Sequence, residues 1–245
     1  MEIQNLLLLF AVGAAAGFIN VNAGGGSSLT LPALIFLGLD AAAANGTNRV
    51  ALLLQNIFAV SSFRKNRLHE FRSSLTLALF TLPGAVIGAI AATRVDNIIF
   101  QRILGGVLIF VVLSMIFARY QERISSRIRS PLLYPALFGI GFYGGFIQVG
   151  VGFLLMAALF HLLRVNLVRV NMHKVFIVLI YTLPALAVFL ATGNVAWGPG
   201  LALAAGNSLG GWWGARAAVR GGEKVIRIIL AAAIGIMALK LFGFF

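Results

Sequence analysis

Residues 20–32 read Asn-Val-Asn-Ala-Gly-Gly-Gly-Ser-Ser-Leu-Thr-Leu-Pro and separate two apolar runs, 6–18 and 29–39. Each run is shorter than the ~20 residues that a membrane-crossing helix needs. Gly24, Gly25 and Gly26, flanked by Asn22 and Ser27, stop a helix and leave backbone amides free. In hydrocarbon, such groups are tolerated only where protein or a wet cavity satisfies them. The stretch therefore reads as the tip of a broken helical hairpin, with a new helix starting near Ser27. Free N–H groups at a positive helix-dipole end suit an anion. A glycine-rich connection that merely lets two helices pack closely is the alternative that the stretch alone leaves open.

The setting is a membrane. The chain is 60% hydrophobic and 10% charged, with a mean hydropathy of +1.00, a balance that excludes a soluble domain. The net charge of +13 does not point to nucleic acid, because the bases cluster between apolar segments. No cysteine is present, so disulfides and thiolate metal sites are excluded. Met1–Asn5 lacks the basic region of a signal peptide, so the first apolar run is read as retained. All six carboxylates, Glu2, Asp40, Glu70, Asp96, Glu122 and Glu223, fall at segment ends or in loops. The paired acids of an intramembrane aspartyl protease and the ligand cluster of a zinc hydrolase are both missing, so an enzyme is not expected and no cofactor or metal is implied.

Ten apolar segments follow one another: 6–18, 29–39, 50–63, 74–93, 98–118, 131–147, 149–163, 175–192, 196–215 and 225–244. The basic stretches Arg64–Arg72 and Arg119–Arg129 are expected on the cytoplasmic side, with Arg164, Arg169, Arg216, Arg220, Lys224 and Arg227. That assignment opens the first hairpin outward and the second, between Ser130 and Arg164, inward. The expected fold is an all-α polytopic membrane protein of two inverted-topology repeats, each a broken, re-entrant hairpin plus three transmembrane helices. It forms a single membrane domain, with repeat one at 1–118, a cytoplasmic linker at 119–130 and repeat two at 131–245.

Weak matches in a common order support the repeat. Gly17-Phe18 returns as Gly141-Phe142, and the tip Gly24–Gly26 falls opposite Gln148-Val149-Gly150. Gly46–Val50 returns as Asn171–Val175 after a one-residue shift, and Gly84–Ala89 as Gly210–Ala215. With Gly24-Gly25-Gly26, Leu31-Pro32-Ala33-Leu34 and Ala44-Asn45-Gly46-Thr47-Asn48-Arg49, the chain resembles the sulfite exporter TauE/SafE family of bacterial membrane proteins. The degenerate tip Gly144–Gly152 and Asn171–Lys174 extend the resemblance to the second half, although that tip is poorer in glycine. The resemblance implies a multi-pass transporter of the bacterial inner membrane acting on sulfite, sulfonates or other small organosulfur anions.

Arg49 is the most informative charge. On a helix, Asn45, Arg49, Leu52 and Asn56 share one face, edged by Asn48 and Gln55. An Arg at the bilayer centre costs ~2.5–3.5 kcal/mol even on a lenient scale, so it should face a cavity or a partner. Snorkelling to headgroups is the other reading. Lys174 is its counterpart, with Asn171 and Tyr181 on its side of the helix, although a Lys at a cytoplasmic helix start is also ordinary. Asn20, Asn22, Ser27, Ser28 and Gln148 surround the tips and suit either oxyanion binding or helix capping.

The candidate substrate-binding set is Asn22, Gly24, Gly25, Gly26, Ser27, Ser28, Asn45, Thr47, Asn48, Arg49, Gln148, Gly150, Asn171 and Lys174. His173 lies on another face of its helix, and its titration range suits proton coupling if it is not structural. The expected mechanism is alternating access around an anion held between the tips, with export favoured because a negative interior drives anions out. The expected partners are that small anion and the lipid bilayer; a homodimer is compatible with the sequence without being required by it. A non-transporting scaffold and an anion channel are the rival functions.

Overall fold

A computed structural model of the protein describes residues 2–117, 131–163 and 165–241, and every regular element among them is helical. The elements are α1 (Ile3–Asn22), α2 (Ser27–Phe36), α3 (Ala41–Lys65), α4 (Phe71–Arg94), α5 (Asn97–Phe117), α6 (Leu133–Phe146), α7 (Val151–Ala158), α8 (Leu167–Ala191) and α9 (Trp197–Leu241). A π-helical turn, Leu159–Leu163, continues α7. Gly222, at φ 59°, breaks α9 into two arms, which correspond to the ninth and tenth apolar segments. The expected linker 119–130 and Arg164 lie outside the described residues.

Several helices outrun their apolar segments. α1 continues through Asn20 and Asn22 to 20 residues, making its arm of the hairpin longer than the apolar run. α3 begins at Ala41 rather than near Val50, because Ala41–Ala44 are strong helix formers. The Asn97 side chain accepts from the Ala41 N–H at 2.9 Å and satisfies a donor that a helix start leaves unpaired. α8 begins eight residues before its apolar run, with Asn166 capping the Arg169 N–H at 2.9 Å. Asn45–Arg49 and Asn171–Lys174 therefore sit inside helices and not in loops.

α1, α4 and α8 are long and apolar enough to cross a membrane. Leu7, Leu8 and Phe10 on α1, Leu75, Leu79 and Phe80 on α4, and Leu183 and Leu190 on α8 are exposed. An apolar exterior of this kind belongs against lipid, and the chain has the makeup of a polytopic membrane protein.

The helices pack through glycine. α1 lies along α9, α6 along α4, and α3 and α8 run through the middle. Gly17 abuts the backbone of Asn207, and Gly141 abuts that of Thr81. Gly84 meets the backbone of Phe138 and Phe142, whereas Gly210 meets that of Ala14 and Phe18. Small residues at these points let backbones approach closely, the main source of helix association in lipid. Under the pairing of Gly17 with Gly141 and Gly84 with Gly210, each contact in one set maps onto a contact in the other.

Gly141→Ala drives a methyl into the Thr81 backbone and should cost about 1–3 kcal/mol. Gly139→Ala, on the same helix but facing open space, should be neutral or stabilising by up to ~1 kcal/mol. Thermal unfolding in detergent checks this, and equal midpoints would contradict the packing.

Candidate functional site

Two elbows meet inside the bundle. The first joins α1 to α2 through Ala23–Gly26, and the second joins α6 to α7 through Ile147–Gly150. Gly24, at φ +87°, lies directly on the backbone of Gly152 and Phe153, and Gly152 lies on Gly24 in return. A Cβ on either glycine would strike the other's main chain. The first elbow is also held by Asn20 Oδ1, which accepts from Gly26 N–H at 3.3 Å, and by Ser28 Oγ, which donates to Gly25 O at 2.6 Å. In the second, Gly150 takes a left-handed φ of 70° and Gln148 one of 63°, uncommon for a residue with a side chain. Gln148 is fixed at both ends of its amide: Oε1 accepts from Arg49 Nη1 at 2.9 Å, and Nε2 donates to Tyr181 Oη at 3.1 Å.

The buried cations close the helices that end at these elbows. Arg49, fully buried on α3, donates to Gly144 O at 3.1 Å and to Gly145 O, the last turn of α6. Its guanidinium carbon also lies 4.8 Å from the Phe189 ring centroid. Asn45, one turn earlier, donates to Phe146 O at 2.7 Å. On α8, Lys174 Nζ donates to Asn20 O at 3.1 Å and Val21 O at 2.7 Å, the last turn of α1. Asn171 donates to Asn22 O at 3.4 Å and accepts from Lys174 Nζ at 2.9 Å. Each half thus supplies a cation and an asparagine that cap the first helix of the other half. Cations belong at helix C-termini, where unpaired carbonyls carry the negative dipole end. Among the described residues no carboxylate pairs with either cation; the ion pairs are those of Glu70 with Arg169 and His173.

A small cavity lies where the elbows meet, lined by Asn20, Ser27, Asn56, Gln148, Gly152 and Lys174 together with valines. Its free volume is about 10 Å³, room for a single water-sized guest. Of the candidate substrate-binding set, Ser27, Gln148 and Lys174 therefore reach this wall, joined by Asn20 and Asn56 from the polar residues beside it. Asn48 stands behind it, donating to Ser27 Oγ at 3.3 Å and accepting from Thr30 Oγ1 at 2.7 Å. Asn45, Arg49 and Asn171 cap helices beside the cavity. Asn22 is turned to Phe18 O and Gly214 O, at 2.9 and 3.2 Å. Thr47 points elsewhere, its hydroxyl accepting from Ala196 N–H at 2.9 Å. His173 also lies apart, with Nδ1 2.8 Å from Ser74 Oγ and Nε2 3.6 Å from Glu70.

Phe189, Thr30 and Gly152 are part of this arrangement and stand outside the candidate substrate-binding set. Gly152 carried a legible signal, as the last glycine of the degenerate tip Gly144–Gly152. Phe189 carried none, since an apolar residue inside an apolar helix looks like any other.

Residues 9–241 match the family described as Sulfite exporter TauE/SafE. The chain belongs to the TauE/SafE family. This TauE/SafE protein is 29% identical to a probable membrane transporter protein of Haemophilus influenzae, over 98% of this chain and 95% of the relative. A probable membrane transporter protein, ORF9, of Sinorhizobium sp is 30% identical over 96% and 92% of the two chains. YfcA of Escherichia coli K12, also a probable membrane transporter protein, is 28% identical over 96% and 88%. No solved structure matches the chain. These TauE/SafE relatives are full-length matches, so elbows and capping helices both fall within the shared region.

In this TauE/SafE protein, Arg49→Met orphans the carbonyls of Gly144 and Gly145, and Lys174→Met that of Val21, while Asn20 O keeps the Gly24 N–H at 2.9 Å. Each substitution should destabilise the protein by about 1–3 kcal/mol per orphaned carbonyl. Asn45→Ala, which removes one neutral donor, should cost about 1 kcal/mol, and Asn171→Ala, which also removes an acceptor of Lys174 Nζ, about 1–3 kcal/mol. Unfolding midpoints of the purified variants measure the order, and Met variants as stable as the native protein would show that the caps carry no weight.

Proposed function

We propose that this protein is a secondary transporter that moves small organosulfur oxyanions, such as sulfite or sulfonates, across the bacterial inner membrane. One observation carries the reading: the cavity between the touching elbows is walled by an ammonium and neutral polar groups, with no carboxylate. Lys174 supplies the positive charge, and Asn20, Asn56, Ser27 and Gln148 supply donors matched to oxyanion oxygens. The N–H of Ser27 opens α2 beside the cavity, and a helix start favours an anion.

The mechanism is alternating access between inverted repeats. The reciprocal glycine contacts and the reciprocal caps support that architecture, because each maps one half of the chain onto the other. Rocking of the halves about the Gly24–Gly152 contact exposes the cavity to each side in turn. Export is the favoured direction: a negative interior gives a departing monoanion ~2.3 kcal/mol per 100 mV, so no coupling ion is needed. A scaffold without transport would have its polar stripes closed against one another; the polar gap at their junction, about one water wide in this state, favours transport.

Proteoliposomes should exchange at least one of sulfite, thiosulfate, sulfoacetate, taurine and sulfate saturably. Lys174→Met should reduce that exchange about tenfold or more, the weight of one charge-assisted hydrogen bond. Saturable flux of none of these sulfur compounds overturns the reading.

A further inference from the structure

The two caps occupy equivalent places, yet the two cations are not equally committed. Lys174 has three N–H donors, and three oxygens take them: Asn20 O, Val21 O and Asn171 Oδ1. Met156 Sδ, at 3.6 Å, fills the remaining side. No donor is left over for a ligand. Arg49 has five donors and places three of them on Gln148, Gly144 and Gly145, while its buried Nε–H finds no acceptor. Arg49 does not line the cavity, whereas Lys174 and Asn20 both do.

From this asymmetry we infer that an anion in the cavity and the end of α1 compete for the same ammonium of Lys174, so that occupancy releases the first elbow while Arg49 keeps the second fixed. The inference rests on the anion-transport reading and adds the step that links binding to movement. The oxyanion takes its hydrogen bond from Lys174 by displacing a carbonyl of α1. The Asn20 O contact goes first, being the longer of the two and the one whose residue lies in the cavity wall. The last turn of α1 then loses one of its three hydrogen bonds to α8, and its hold on the opposite half loosens. Asn20 also holds the Gly26 N–H and donates to Gln55 Oε1 at 3.3 Å, so its shift reaches the α2 start directly. A ligand moves an equilibrium only through unequal affinity for its two states. Here the inequality is simple: with α1 docked, the ammonium has nothing to offer.

Arg49 and its elbow provide the internal control. Hydrogen–deuterium exchange is followed on the full chain in lipid nanodiscs, with and without sulfite, thiosulfate, sulfoacetate, taurine or sulfate, and binding is measured by calorimetry. With an anion that binds, amides of residues 20–26 should exchange about tenfold faster, the equivalent of one lost charge-assisted hydrogen bond. Residues 144–150 should be unchanged. In Lys174→Arg, whose additional donors hold α1 and the anion together, the anion should bind without the rise. Binding that leaves both elbows unchanged or protects both overturns the inference and leaves the transport reading standing. The same rise in Lys174→Arg as in the native protein also overturns it. Failure of every anion to bind the native protein removes both readings at once.

Discussion

A helix that ends within a lipid slab must find donors for its last carbonyls, and no water is there to provide them. This chain has two helix ends inside the bundle, at Asn22 and Phe146, and answers both in the same way. A cation and an asparagine reach across from the other half: Arg49 with Asn45, and Lys174 with Asn171. The charges need no carboxylate, because each faces the negative end of a helix dipole and a cluster of carbonyl oxygens. The meeting of the elbows and the polar lining of the cavity both depend on this exchange of caps.

Much of this was legible in the sequence. The three glycines after Ala23 and the short apolar runs located both elbows. The glycines matched between the halves, Gly17 with Gly141 and Gly84 with Gly210, fall at close helix contacts. Direction was less legible. The sequence asks Arg49 to face a cavity or a partner, and the structure supplies partners that the sequence does not name, the carbonyls of Gly144 and Gly145. Those partners are main-chain atoms some hundred positions away, and a carbonyl leaves no trace in residue identity. The same reason hid the turn of Thr47 towards Ala196 and the stacking of Phe189 under the guanidinium. The counterpart of Asn171 also shifted: the short matches aligned it with Gly46, whereas Asn45 performs its task four residues before Arg49, not three. Both spacings return a side chain to one helix face, so the geometry tolerates the slip.

The difference between Arg and Lys matters more at these sites than their shared charge. A guanidinium spreads several donors over a plane and stacks on an aromatic ring, which suits a permanent tie. An ammonium is a compact donor whose few bonds are readily counted. In two otherwise matching positions, the chain places the first kind behind the second elbow and the second kind in the cavity wall.

The reciprocity of the caps also bears on how such a chain is made. The carbonyl of Val21 and the ammonium that satisfies it are 153 residues apart. During synthesis the amino-terminal portion must therefore enter the bilayer with an unfinished helix end, and Arg49 must enter before the carbonyls of α6 exist. Neither portion is self-sufficient: each arrives as a lock holding the other's key, and the native bundle appears only when the final helices have been threaded through.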